Sequence, residues 1–137
     1  MDAFDSDVLI YAAAPGHPLG AKLAPRFPLG PPAHEDQPVG VGSVLLVPEL
    51  LSGPLRAGAE AEVARLAGLL ARLDLRPVDG PTSQLAAALA AAYGLAASDA
   101  IHLATAIRAG ASRFITNSQR DFPPFISEIA VVYPADL

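Results

Sequence analysis

The 137-residue chain contains no cysteine, and Lys22 is its one lysine. Without cysteine, disulfides and thiolate metal sites are excluded, and nothing argues for export. No apolar run reaches the roughly 18 residues that a membrane span needs. The N-terminus has no basic segment followed by an apolar core, so no secretory signal is expected and a cytoplasmic setting is. Cationic charge is also scarce. The net charge of −5 argues against broad electrostatic binding of nucleic acid, which needs a basic surface. It does not exclude an enzyme acting on nucleic acid, because an acidic metal site lowers net charge and its cations partly restore it. The cations other than Lys22 are arginines, suited to phosphate or carboxylate contacts. The length fits a single domain spanning 1–137 with a proper core.

What is present is organised around Ser98 to Phe122. Ser98 is placed to cap a helix. Ala100, Leu103, Ala104 and Ile107 then follow helical spacing, with Thr105 and Arg108 off the apolar face. Gly110 supplies the stop, Arg113-Phe114-Ile115-Thr116 a short strand, and Asn117-Ser118-Gln119 a turn. This is half of an α/β unit, and such folds bind ligands at the carboxyl ends of parallel strands. Asp99 lies in the first helical turn, where free amides and the helix dipole favour the ionised carboxylate. It either assists capping or serves a site.

Earlier in the chain, a strand ending near Asp5 leads into a helix from Val8 to Ala14. Asp5 and Asp7 either cap that helix or face a cation. A short helix fits Leu19 to Leu23. Residues 25–38 are too rich in proline for a long helix or central strand, and read as an ordered excursion or flexible loop. His34, Glu35 and Asp36 read as a solvated loop rather than a metal site. Val39–Gly42 reads as a strand, with Ser43 capping a helix through Leu51 that Pro48 should kink. Gly40-Val41-Gly42 has Leu45 where a dinucleotide loop needs its third glycine. Glu49, among apolar neighbours, is either a surface residue or part of an ionic site.

Ala59 to Leu73 reads as an amphipathic helix with Arg65 and Arg72 outward. Leu75–Val78 reads as a strand and Gln84–Tyr93 as a helix ended by Gly94. Phe125-Ile126 and Ile129–Tyr133 supply a last strand. Val44, Leu45, Leu50 and Leu51 exceed what one helix face buries, which suggests a dimer or partner groove.

If the sheet is parallel, Asp5, Glu49 and Asp99 can meet at one edge. Carboxylates without cysteine or a histidine cluster suit Mg²⁺ or Mn²⁺. Such a site hydrolyses phosphodiesters by activating water and neutralising phosphoryl charge, often with two ions about 3.5–4 Å apart.

The segments FDSDVLIYA, VPELLSG, DAIHLATAIRAG and FITNSQRDF resemble the PIN domain, specifically VapC-type toxins, over almost the whole chain. The resemblance implies an α/β/α sandwich around a mostly parallel sheet. It also implies a metal-dependent ribonuclease toxin paired with a small antitoxin protein. It makes Asp5, Glu49 and Asp99 the metal-binding acids, and Thr116 and Asn117 polar residues lining the site. Two departures stand out: Asp7 where the family often has Asn, and Ser118 where it often has Asp, with Asp121 three residues later. Asp121 swings in as a catalytic acid, or Asp7 substitutes, or a second ion binds weakly.

His102 either touches substrate or supports the site from behind. Arg108, Arg113 and Arg120 either meet RNA or antitoxin acids or are surface residues. A haloacid-dehalogenase-type phosphatase fits Asp5-Ser6-Asp7-Val8 but lacks a late lysine. A PIN-like binding module for RNA or a protein partner, without turnover, is the other alternative.

Overall fold

A computed structural model describes every residue from Met1 to Leu137. Five short strands form one sheet: β1 (Asp2–Phe4), β2 (Gly40–Ser43), β3 (Leu73–Arg76), β4 (Arg113–Ile115) and β5 (Ala130–Val132). Their order is β3-β2-β1-β4-β5 and every pairing is parallel. The helices are α1 (Ser6–Ala13), α2 (Gly20–Leu23), α3 (Leu46–Ala57), α4 (Glu60–Leu70), α5 (Gly80–Tyr93) and α6 (Ala97–Arg108). The chain builds outward from β1 to β3, then crosses back to lay β4 on the other side of β1. The switch point therefore lies between β1 and β4, where doubly wound sheets open a crevice beyond their carboxyl ends.

Alternation along the strands divides the core into two layers. Ala3, Val41 and Phe114 face one side, packing with Leu89 of α5 and Leu103 of α6. Phe4 and Ile115 face the other, with Val8 and Leu9 of α1, Leu46 of α3 and Leu66 of α4. Each such large side chain contributes about 1.5–3 kcal/mol by leaving water. The three-layer α/β/α sandwich expected from the sequence is what these two cores hold together. No single helix is long and apolar enough to cross a membrane.

Gly40 and Gly42 lie in β2, as expected, and a Cβ on Gly40 would stand 2.4 Å from the Phe4 ring, so this glycine serves close strand packing. Several other local expectations change. Ser43 ends β2 rather than capping a long helix, its Oγ accepting from the Leu45 amide at 3.1 Å. α3 begins at Leu46, which puts Pro48 in the first turn, where its missing N–H costs nothing and no kink is required. α6 begins at Ala97 behind Ala96, so Ser98 lies inside the first turn and makes no cap. Thr105, expected off the apolar face, is buried, its hydroxyl satisfied by the Ile101 carbonyl at 2.8 Å. Phe125 is exposed and outside the last strand, which spans only Ala130–Val132.

α4 stops at Leu70, so Leu73 belongs to β3 and Arg72 sits in the tight turn between them. Arg72 is therefore buried rather than outward. It bonds Asp36 at 2.9 Å and the Gly30 carbonyl at 2.9 Å, tying the proline-rich excursion to the body. Of the four apolar residues assigned to a groove, Leu50 is buried within this chain and Val44 stays exposed.

Candidate active site

Asp5 directly follows β1 and caps α1, its Oδ1 accepting from the Ser6 amide at 2.8 Å. Its own amide extends the β1–β4 ladder to the Ile115 carbonyl at 3.0 Å. That pairing brings the end of β4 alongside. Thr116, fully buried, donates its hydroxyl to Asp5 Oδ2 at 2.8 Å and accepts from the Ser118 amide at 3.1 Å. One residue on, the Asn117 amide donates to Asp7 Oδ2 at 3.0 Å. Of the two, Asp5 caps α1, whereas Asp7, in the first turn, reaches across to the segment after β4.

The other acids arrive from helices. Asp99 enters on the first turn of α6, Glu49 on the first turn of α3. Glu49 contacts the Nε2 of His102, which lies one turn after Asp99. Asp121 accepts from the Ser118 hydroxyl at 2.9 Å and its charge reaches Asp99.

These carboxyls disturb one another. Burial pushes Asp5 up from the ordinary carboxylate value, opposed by the bonds from Thr116 and Ser6. Asp7 is pushed up to about 6, first by burial and then by the charge of Asp5. Asp99 is also pushed up to about 6, by burial and then by Asp5 and Asp121. Asp99 therefore still ionises by neutral pH, as expected, but burial beside like charges outweighs the dipole and raises its pKa. An uncompensated cluster of acids is held in the fold, and pKa values displaced in this way mark functional sites.

The donor set is all carboxylate oxygen around Asp5, Asp7, Asp99 and Glu49, and Asp7 Oδ1 is buried without a partner. That chemistry fits a hard divalent cation. As the side chains stand, no three acids or histidines surround one point in ligating geometry. Asp5, Asp7, Glu49 and Asp121 are each bonded to a group of the chain itself.

The PIN domain family model matches residues 3–123, from β1 through the loop carrying Asp121. The chain belongs to the PIN domain family. No curated protein sequence matches it. Among solved structures, it resembles a toxin-antitoxin complex from Klebsiella pneumoniae at 23% identity, TM-score 0.76, covering 100% of both chains. It also resembles DNA-bound VapBC from Salmonella typhimurium at 16% identity and TM-score 0.71, covering 97% of each chain. VapBC2 from Rickettsia felis bound to a promoter DNA fragment is similar at 15% identity and TM-score 0.67, covering 96% of this chain and 97% of that one.

In this PIN domain the residues singled out from the sequence fall into separate bonded groups: Asp5, Thr116, Ser118 and Asp121 in one, Asp7 with Asn117 and Glu49 with His102 in two others, while Asp99 feels the charges of Asp5 and Asp121. Two of the three arginines lie elsewhere. Arg113 binds Asp2 at 2.7 Å, with Arg26 on the same carboxylate, at the opposite end of the sheet. Arg108 reaches toward Asp79 at 4.0 Å. Of the three considered for RNA, Arg120 alone belongs to the loop between Ser118 and Asp121. His34 and Glu35 are exposed, and Asp36 is spent on Arg72, in keeping with a loop. Lys22 bonds the carbonyls of Ala135 and Leu137, away from Asp5. Tyr11 was missed: its hydroxyl stands 3.5 Å from Asn117 Nδ2, and its ring stacks on His17. Nothing in the sequence separates it from a core aromatic of α1.

Proposed function

We propose that this PIN domain is a Mg²⁺- or Mn²⁺-dependent endoribonuclease of the VapC type, the toxin of a toxin-antitoxin pair. The observation that carries this reading is the convergence of Asp5, Asp7 and Asp99, with raised pKa values, at the switch point. Asp5, Glu49 and Asp99 would hold the ion. The bound ion would supply an activated water and neutralise charge on the phosphoryl oxygens of RNA. The chain's part is positional. Thr116 and Ser6 fix the Asp5 carboxylate, and Asp7 pins the Asn117 amide so that Thr116 and Ser118 keep their places. Asp121, held by Ser118, completes the acidic rim as the candidate fourth catalytic acid.

The toxin-antitoxin neighbours support a protein antitoxin as partner. A homodimer fits the apolar surface left at Val44, Val47 and Leu55. Such a pair acts in the cytoplasm, where RNA and antitoxin meet. The test is calorimetric titration of Mn²⁺ and Mg²⁺ into wild type and Asp99→Asn, with RNA cleavage measured alongside. Metal binding and cleavage in wild type, both lost in the variant, are expected. Wild type that binds neither ion and cleaves nothing would overturn the reading. It would favour a PIN-like binding module, a reading supported by Ser118 standing where the family often has an acid.

A further inference from the structure

We propose that His102 is the positioning residue for Glu49, holding the α3 carboxylate in place through its Nε2–H; the proposal rests on the nuclease reading above. α6 sets Asp99 and His102 three residues apart, on one side of the helix. The His102 side chain is 2% exposed, whereas that of Glu49 is 30% exposed. Glu49 is therefore a long acid at the rim of the site, and its contact with His102 ties it to the interior. A carboxylate only accepts hydrogen bonds, so the nitrogen facing it carries the proton. The charge of Glu49 adds to the upward push on both Asp5 and Asp99.

The other ring nitrogen makes the role specific. His102 Nδ1 is buried and has no partner. An unsatisfied buried polar atom is a cost that a leucine of similar volume at this position would avoid. The histidine is thus not explained by packing within α6, and the one polar contact of its ring is Glu49. Residues that orient metal-binding side chains in this way commonly change metal affinity by about 10–100-fold when replaced.

Two measurements test the assignment. In His102→Gln the amide nitrogen takes the place of Nε2, whereas in His102→Asn it takes the place of Nδ1. Calorimetry with Mn²⁺ is expected to leave the Gln variant within about threefold of wild type and to weaken the Asn variant by about 10–100-fold. Equal affinities in the two variants would overturn the proposal. The second measurement avoids any change to the core. Nitrogen-15 histidine spectra of metal-free wild type and Glu49→Gln should show the His102 Nε2–H signal displaced in the variant while His17 and His34 stay put. An unmoved His102 signal would overturn the proposal by itself. A signal displaced in Glu49→Gln, together with a wild type that binds no Mn²⁺, would uphold the His102–Glu49 tether and sink the nuclease reading instead.

Discussion

The Thr116 hydroxyl both donates to Asp5 Oδ2 and accepts from the Ser118 amide, inside a side chain with no exposed surface. Replacing it with valine keeps the volume and leaves a buried carboxylate oxygen and an amide without their partner. A cost of about 1–3 kcal/mol follows. At this chain length that is a fall in Tm of about 3–5 °C per kcal/mol. Thr116→Ser, which keeps the hydroxyl, should lose much less. Thermal melts that find valine and serine equivalent would refute the strut. The polar pair Thr116-Asn117 was marked for the site by the family resemblance alone; the residues themselves read as a strand end and a turn. The bond to Asp5 was not legible, because the partners are 111 residues apart and meet only through the β1–β4 register. Asp99 illustrates the opposite limit. Its position at a helix start was readable, but local reasoning supplied only the dipole, worth about 0.3–1 kcal/mol at exposed sites. The burial and neighbouring acids that raise its pKa come from tertiary structure.

At the scale of elements, the order of helices and strands was readable because each apolar run is short and bounded by Gly, Pro or polar turns. What failed was the end of α4. Extending it to Leu73 put Arg72 on a solvated face, whereas the helix ends at Leu70 and the next turn points Arg72 inward. A boundary error of three residues reversed its role. Arg72 now explains how the proline-rich 25–38 excursion is held without regular structure: its guanidinium bonds Asp36 and the carbonyls of Leu29 and Gly30. Arg72→Ala should therefore loosen this segment while leaving the carboxylates at the far end of the sheet in place. Limited proteolysis should cut between Phe27 and Asp36 several-fold faster than in wild type, with Mn²⁺ affinity unchanged. Uniform loss of protection across the chain would mean that Arg72 supports the whole body rather than the loop.

At the scale of the whole molecule, the acidic cluster sets how stability varies with pH. Asp7 and Asp99 titrate near 6 in the folded chain, against 3.8 for an unperturbed aspartate. Groups with raised pKa values bind protons more tightly when folded, so their stabilising contribution is complete below about pH 4 and is lost as pH rises through 6. Asp2, Asp36, Asp79 and Glu128 are lowered by their bonding partners, and their contribution is lost at the acidic end instead. The two sets act in separate windows. The metal-free protein should thus melt highest near pH 4.5–5 and lose several degrees by pH 7, a decline that most single domains do not show so early. Asp7→Asn removes one charge from the cluster, and its amide oxygen can still accept from the Asn117 amide. The variant should melt higher than wild type at pH 7 but not at pH 4.5. A divalent cation should produce the same relief by neutralising the cluster. At a hundredfold excess over its Kd, Mn²⁺ should add about 2.7 kcal/mol at pH 7. The gain should shrink as the carboxyls protonate and compete with the ion. Melting curves at pH 4.5 and 7, with and without Mn²⁺, separate these effects. Equal stability of metal-free wild type and Asp7→Asn at both pH values would show that Asp7 does not share the charge of the cluster.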